Sequence, residues 1–250
     1  MRLSALYRYP LKSGKGEILQ QVGLDKLGLD GDRRWMLVDE GSGRFLTQRA
    51  VAQMSQLSAL WNAEGGLTLS APGHSPIDVA LPASEAQLRG VTIWRDSLRV
   101  PDAGDAAAAW VSRFIGKPTR LVQVPLDRAR TTASGYGKDD DQVAFADGFP
   151  LLLIGQASLA DLSQRVGRPL EMLRFRPNLV IEGSEAFVED GWKRLRIGDG
   201  SDRAHGLLAT VQFGLAARAL DLGRGQLLAD LAGGDAQRLQ RLRIQVHPHL

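Results

Sequence analysis

The amino-acid sequence predicts an α+β fold made mainly of short β-strands, on three observations. The first hundred residues break into short apolar runs separated by Gly, Pro, Asp and Ser clusters, a spacing that favours a barrel or a sandwich. Only two later stretches combine helix start and stop signals. The 250 residues are 44% hydrophobic, enough for a sizeable core. They contain no run of about 18 apolar residues of the kind a membrane helix needs.

Strands are expected at Leu3 to Tyr9, Glu17 to Val22, Trp35 to Asp39, Arg44 to Thr47, Gly66 to Ser70, Ile77 to Ala80 and Leu98 to Val100. Glu40-Gly41-Ser42-Gly43 reads as the turn of a hairpin between two of them. An Ala-rich helix follows from about Asp105 to Ile115, with Asp102 or Asp105 as N-cap and with Gly116 and Pro118 as stop signals. It would plug or flank the barrel. A second β-rich section starts near Leu121, and Phe149 to Ile154 has the unbroken apolar pattern of a buried strand. A helix from Ala157 to Val166, closed by Gly167, and strands at Leu179 to Ile181 and Arg194 to Ile197 complete it. Ala129 to Asp141 is polar and reads as a mobile loop. Beyond Gly200 the strand signal ends: Ala204 to Leu222 lacks a period of two, and Gln237 to Val246 suits a helix or an irregular tail equally.

Charge excludes some functions. Charged residues make up 24%, the net charge is +3, and no like-charged run exceeds Asp139-Asp140-Asp141, so neither nucleic acid nor a membrane surface is indicated as a partner. The N-terminus lacks the apolar core and cleavage site of a signal peptide, and the expected location is the cytoplasm. The chain has no cysteine, which removes disulfides, thiolate zinc sites and cysteine nucleophiles together. Of its histidines, His247 and His249 have a chelating spacing but sit in the last four residues, so no metal site is assigned.

The segment most suggestive of chemistry is Arg174-Phe175-Arg176-Pro177-Asn178, leading into Leu179-Val180-Ile181. Pro177 restricts Arg176 to an extended conformation, which would put Arg174 and Arg176 on one face as a clamp for phosphate or carboxylate. The competing reading is a buried ion pair with Glu171 or Glu182. Tyr9-Pro10-Leu11-Lys12-Ser13-Gly14-Lys15-Gly16 places ammonium groups and a hydroxyl in a Gly-containing turn, suited to phosphate or simply solvated. Arg33 and Arg34 are adjacent, so at most one faces a given pocket, and both are also candidates for surface ion pairs with Asp32. Asp147-Gly148 precedes the Phe149 strand, where Asp147 either accepts hydrogen bonds from a ligand or caps its own turn.

The order of these segments is more specific than any one of them. Tyr-Pro-Leu-Lys-Ser at 9 to 13, Gly-Asp-Arg-Arg-Trp-Met-Leu-Val at 31 to 38, Leu-Thr-Gln-Arg at 46 to 49, Asp-Gly-Phe-Pro-Leu-Leu-Leu at 147 to 153, Ser-Leu-Ala-Asp-Leu at 158 to 162, Arg-Phe-Arg-Pro-Asn-Leu-Val at 174 to 180 and Glu-Asp-Gly-Trp at 189 to 192 closely resemble the MOSC family with its N-terminal β-barrel domain. The resemblance covers about the first 200 residues. It implies an N-terminal β-barrel domain over 1–118 packed on a MOSC β-barrel domain over 119–250, with the pattern lost after about 200 and the last strands missing or irregular. It also implies a molybdopterin cofactor whose molybdenum reduces N-hydroxylated small molecules, with electrons from a flavin, iron–sulfur or haem protein. Carried over by position, Lys12, Ser13 and Arg33 would contact the pterin phosphate from the first domain, Arg176 and Asn178 from the second, and Asp147 and Gly148 would line the pocket. A family-level link to pyridoxal phosphate has no support in any lysine context here.

One feature departs from the family. Its members follow the strand at Gly198 with a Cys-Ser-Arg-Cys-like segment whose last cysteine ligates molybdenum. If Ala219-Leu220-Asp221 stands in the family's Val-Asp-Pro place, Leu215 occupies the ligand position, and only 29 residues follow Asp221. Two readings stay open. The C-terminal 50 residues are the product of a shifted reading frame, since a one-base shift across Thr210 to Phe213 can read Pro-Cys-Ser. Alternatively, the chain is a non-catalytic binder or carrier of molybdopterin or another phosphorylated ligand.

Overall fold

The structure, a computed structural model, describes residues 1–62, 64–132 and 141–192, and the backbone of four further strands at 194–197, 207–213, 226–229 and 244–246. Ala133 to Asp140 of the expected loop, Leu215, Ala219 to Asp221, His205, His247 and His249 lie outside the described residues.

Among the described residues the chain is mostly strand with two α-helices. The first part contains β1 (Arg2–Arg8), β2 (Glu17–Leu19), β3 (Leu24–Asp25), β4 (Gly28–Leu29), β5 (Trp35–Asp39), β6 (Ser58–Trp61), β7 (Leu67–Ala71), β8 (His74–Val79), β9 (Leu88–Ile93), β10 (Asp96–Pro101), α1 (Asp105–Ile115) and β11 (Thr119–Gln123). The second adds β12 (Arg130–Thr131), β13 (Gln142–Val143), β14 (Leu151–Gly155), α2 (Gln156–Val166), β15 (Leu179–Glu182), β16 (Arg194–Ile197), β17 (Leu207–Phe213), β18 (Gln226–Ala229) and β19 (Ile244–Val246).

β5 organises the first part. Its period of two sends Trp35 and Leu37 into one core cluster and Met36 and Val38 into another, and it pairs antiparallel with β11. Trp110, Val111 and Ile115 of α1 close the first cluster, each contributing about 1.5–3 kcal/mol by burial. Gly116 ends α1 in the left-handed conformation, as the sequence suggests. Neither Asp102 nor Asp105 caps its start. The N-cap is Gly104, because the Asp102 carboxylate is held by Arg89 and Arg120 and accepts the Gly104 N–H.

An eight-stranded sheet runs in the order β19-β16-β18-β17-β14-β15-β1-β2. β14 and β15 are parallel with α2 between them in sequence, and β1 pairs antiparallel with β15, so the first strand completes the sheet of the second section. This places the end of β1 beside the starts of β14 and β15.

Several expectations are corrected here. Arg44 to Thr47 forms only isolated bridges, Val38 to Phe45 and Arg44 to Thr92, so the Glu40 to Gly43 turn joins β5 to a bridge and not to a full strand. β6 and β9 carry too weak an alternation to stand out, and β9 turns into β10 through Trp94-Arg95, without the Gly or Asn that signals a hairpin. β17, β18 and β19 lie where the sequence shows no period of two. Pairing with β14 and β16 makes them strands, an effect of tertiary partners that local pattern does not carry.

Candidate functional site

Three backbone segments meet at the β1, β14 and β15 ends. The first leaves β1 at Tyr9. Leu11 is fully buried, Lys12 N–H donates to the Trp35 carbonyl (2.8 Å), and Ser13 takes φ 62°. The second is Asp32-Arg33, anchored by Arg33 N–H to the Tyr9 carbonyl (2.8 Å) and by Tyr9 N–H to Asp32 Oδ1 (2.8 Å). The third is Arg174 to Asn178. Here the expected extended pair is not observed: Met172–Arg174 form a 3₁₀ turn, Phe175 continues it, and Arg176 sits at φ 57°. Tertiary bonds outweigh the preference imposed by Pro177: Arg33 Nη2 donates to the Arg176 carbonyl (2.9 Å), and Arg176 Nη1 donates to the Gly14 carbonyl.

Asn178 ties the segments together. It is fully buried, its Oδ1 accepts from Arg33 Nη1 (2.7 Å) and Leu152 N–H (3.1 Å), and its Nδ2 donates to the Tyr7 carbonyl (3.2 Å). Asp32 Oδ2 takes the same Arg33 nitrogen. Arg34 points away, pairs with Asp25 and borders a separate cavity of about 540 Å³, so the adjacent arginines serve different pockets. Glu182 pairs with Arg2, not with the Arg174–Arg176 segment.

A cavity of about 430 Å³ opens between the segments, and Lys12, Ser13, Arg33, Asp147, Gly148, Arg176 and Asn178 all line it. Arg49, Arg174 and Trp94 line it too, so that among the described residues five cationic side chains stand against the one carboxylate of Asp147. That excess suits an anion. Lys12 Nζ donates to the Phe145 carbonyl (2.8 Å) and Asp147 Oδ1 (2.7 Å). Burial lowers its pKa to about 8 against the opposing pull of Asp147. Burial, with Arg33 adding to it, lowers Arg176 to about 10. Among the described residues its Nη2 is buried without a hydrogen-bond partner, a donor left unsatisfied beside the cavity that Arg176 lines. Both guanidinium groups lie on the Tyr9 ring, with Cζ 4.6 Å (Arg33) and 4.2 Å (Arg176) from its centroid.

Backbone strain concentrates at the same place. Among the described residues five non-glycine residues have positive φ, and four of them, Ser13, Arg33, Trp94 and Arg176, line this cavity. Sequence reasoning missed Tyr9 as the platform for the arginines and missed Trp94 altogether. The nearest signal for Trp94 was a turn lacking turn residues.

Elsewhere, Glu189 is fully buried and accepts from Gly155 N–H (2.9 Å) and Ser158 Oγ (2.6 Å), holding its loop on the start of α2. Trp192 is buried, in keeping with a packing role. Among the described residues no cluster of three His, Asp or Glu could hold a metal ion, and no helix is long and apolar enough to cross a membrane.

Residues 1–118 match the MOSC N-terminal beta barrel domain and residues 140–211 the MOSC domain, a match that stops short of Leu215. The chain is 31% identical over 208 residues to mitochondrial amidoxime-reducing component 1 of Danio rerio, covering 79% of this chain and 63% of the relative. It is 34% identical over 209 residues to mitochondrial amidoxime reducing component 2 of Rattus norvegicus, covering 79% and 61%. Molybdenum cofactor sulfurase of Oryza sativa subsp. japonica is 31% identical over 217 residues, 80% of this chain and 26% of the relative. The matched part of the chain thus spans less than two thirds of the amidoxime-reducing relatives. Among solved structures, a solution structure from Bordetella bronchiseptica covers 46% of this chain and 94% of its own at 21% identity and a TM-score of 0.36.

Proposed function

The chain belongs to the MOSC proteins that carry an N-terminal β-barrel domain, and from that premise we propose that its cationic cavity binds the molybdenum cofactor through the phosphate of molybdopterin. One observation carries the reading: Lys12, Arg33 and Arg176 converge on one cavity where the Arg176 Nη2 donor is buried and unpartnered. A phosphate dianion supplies the missing acceptor and the missing negative charge. Lys12, the Ser13 hydroxyl, Arg33 and Arg176 hold the phosphate. Asn178 and Asp32 fix the Arg33 fork, Asp147 balances Lys12 while the site is empty of anion, and Gly148 leaves the wall low.

The same residues do not offer a thiolate, since the chain has no cysteine. When bound, the cofactor supplies two-electron chemistry at its metal, and kinship with amidoxime-reducing components adds the reduction of an N-hydroxylated small molecule, with electrons from a separate redox protein. A thiolate retains and tunes such a metal. Its absence favours a second reading, in which the chain binds or carries the phosphorylated pterin without turning over.

Molybdenum quantification and the fluorescence of oxidised pterin released on denaturation separate the cases. Stoichiometric pterin with molybdenum and N-hydroxylamine reduction supports the oxidoreductase. Pterin without metal supports the carrier. A purified protein that holds no pterin and binds no inorganic phosphate overturns both.

A further inference from the structure

Trp94 breaks a local rule at the mouth of this cavity. β9 and β10 are joined by the two-residue turn Trp94-Arg95, closed by the Ile93–Asp96 pair. A two-residue hairpin turn calls for positive φ at its first residue, a position that Gly, Asn or Asp fills without strain. Here a tryptophan occupies it at φ 54°, and its side chain is not spent on the core: Trp94 remains 41% exposed. The indole meets the Phe45 ring edge-on at 5.0 Å, with Lys12 Nζ 5.7 Å from the indole and 5.5 Å from Phe45. An exposed aromatic held in a strained turn beside Lys12 offers the cavity a flat apolar surface.

We propose that Trp94 is the specificity-determining residue of the cavity, a platform on which the planar heteroaromatic ring of a phosphate ester stacks while the cations hold its phosphate. The inference rests on the phosphate reading above and adds to it the ring and the residue that selects it. It distinguishes this cavity from a site for free phosphate or for an aliphatic phosphate ester. Base-on-aromatic stacking contributes about 1–3 kcal/mol, so removing the platform is expected to weaken a ring-bearing phosphate by about tenfold or more relative to phosphate itself.

The test compares two probes, inorganic phosphate and pterin-6-ylmethyl phosphate, by calorimetric titration of the full chain and of Trp94→Ala, Trp94→Phe and Trp94→Gly. The readout is the ratio of the two affinities, which cancels any general damage to the anion grip. The ratio is expected to favour the pterin ester in the native chain, to fall about tenfold in the Ala and Gly variants, and to survive in the Phe variant. The Gly variant, which relieves the turn strain, should melt no lower than the Ala variant while losing the same selectivity. A native chain that binds phosphate but gains nothing from the ring, or an Ala variant with an unchanged ratio, overturns the platform and leaves the phosphate reading standing. A native chain that binds neither probe removes that reading and the platform with it.

Discussion

Because Lys12 has its pKa lowered to about 8 by burial, the affinity of the cavity for a phosphate ester should fall as pH rises through that value. The protonated fraction of Lys12 is roughly nine-tenths at pH 7 and one-tenth at pH 9, so a ligand that needs the ammonium should bind about tenfold more weakly at pH 9. The opposite limb comes from the ligand, whose phosphate loses its second proton near about pH 6, so binding should also weaken below that pH. Lys12→Met removes the upper limb and lowers affinity at pH 7 by about tenfold to a hundredfold, the loss of one charge-assisted hydrogen bond. Arg176, lowered only to about 10, stays charged across the window and leaves the variant's profile flat between pH 7 and pH 9. The stability sign is the reverse. The folded-state pKa of Lys12 lies below its ordinary value of 10.5, so the ligand-free protein should gain stability as pH rises from about 8 towards 10.5. At pH 7 the variant loses this charge cost but leaves the Phe145 carbonyl and Asp147 without the ammonium, so its stability should lie within about 2 kcal/mol of the native chain. Calorimetric titration with methyl phosphate, a monoester, at pH 6, 7, 8 and 9 measures the profile. A native affinity constant from pH 7 to pH 9, or an equal decline in the Lys12→Met variant, refutes the assignment of the limb to this lysine.

Three further outcomes test the frame around the proposed anion site. Asn178→Ala leaves Arg33 Nη1 with one partner fewer and the Leu152 N–H and Tyr7 carbonyl unbonded in a buried place, and should cost about 2–4 kcal/mol in urea unfolding. Arg176→Met, which removes the unpartnered donor, should weaken phosphate binding about tenfold or more while shifting the urea midpoint less than Asn178→Ala does. Gly16→Ala brings a methyl to 2.4 Å from Tyr9 Cε1, so the ring that carries both guanidinium groups must move. Phosphate affinity should fall severalfold although no cationic side chain is altered.

Much of the frame was legible because its signals are local. Trp35 to Asp39 is a short apolar run bounded by turn residues, Asp105 to Ile115 ends at a glycine that must turn left-handed, and Arg194 to Ile197 is a short alternating run. All three appear with the bounds read from sequence. The seven candidate residues were legible for another reason: their segments keep a fixed order along the chain, and the fold brings that order to one cavity. What stayed hidden depends on partners distant in sequence. The left-handed turn at Arg176 is held by Arg33 and Gly14, and β17 is a strand because β14 and β18 lie beside it.

The strained residues show why local rules failed where they did. Each left-handed non-glycine residue costs about 1–3 kcal/mol, and a glycine at any of these turns would relieve it. Gly14 directly follows Ser13 and Gly31 lies two residues before Arg33, so the chain uses glycine nearby, yet the strained positions themselves keep Ser, Arg, Trp and Arg. Glycine would have no side chain to offer the cavity, and each of these four residues lines it. The fifth such residue, Phe187, lies elsewhere and has a structural account: its N–H donates to Ser158 Oγ, and Arg165 packs on its ring. Strain alone therefore does not mark a site in this chain. What sets the other four apart is that they line one cation-rich cavity, and Trp94, which brings no charge and caps no element, lines it beside the arginines.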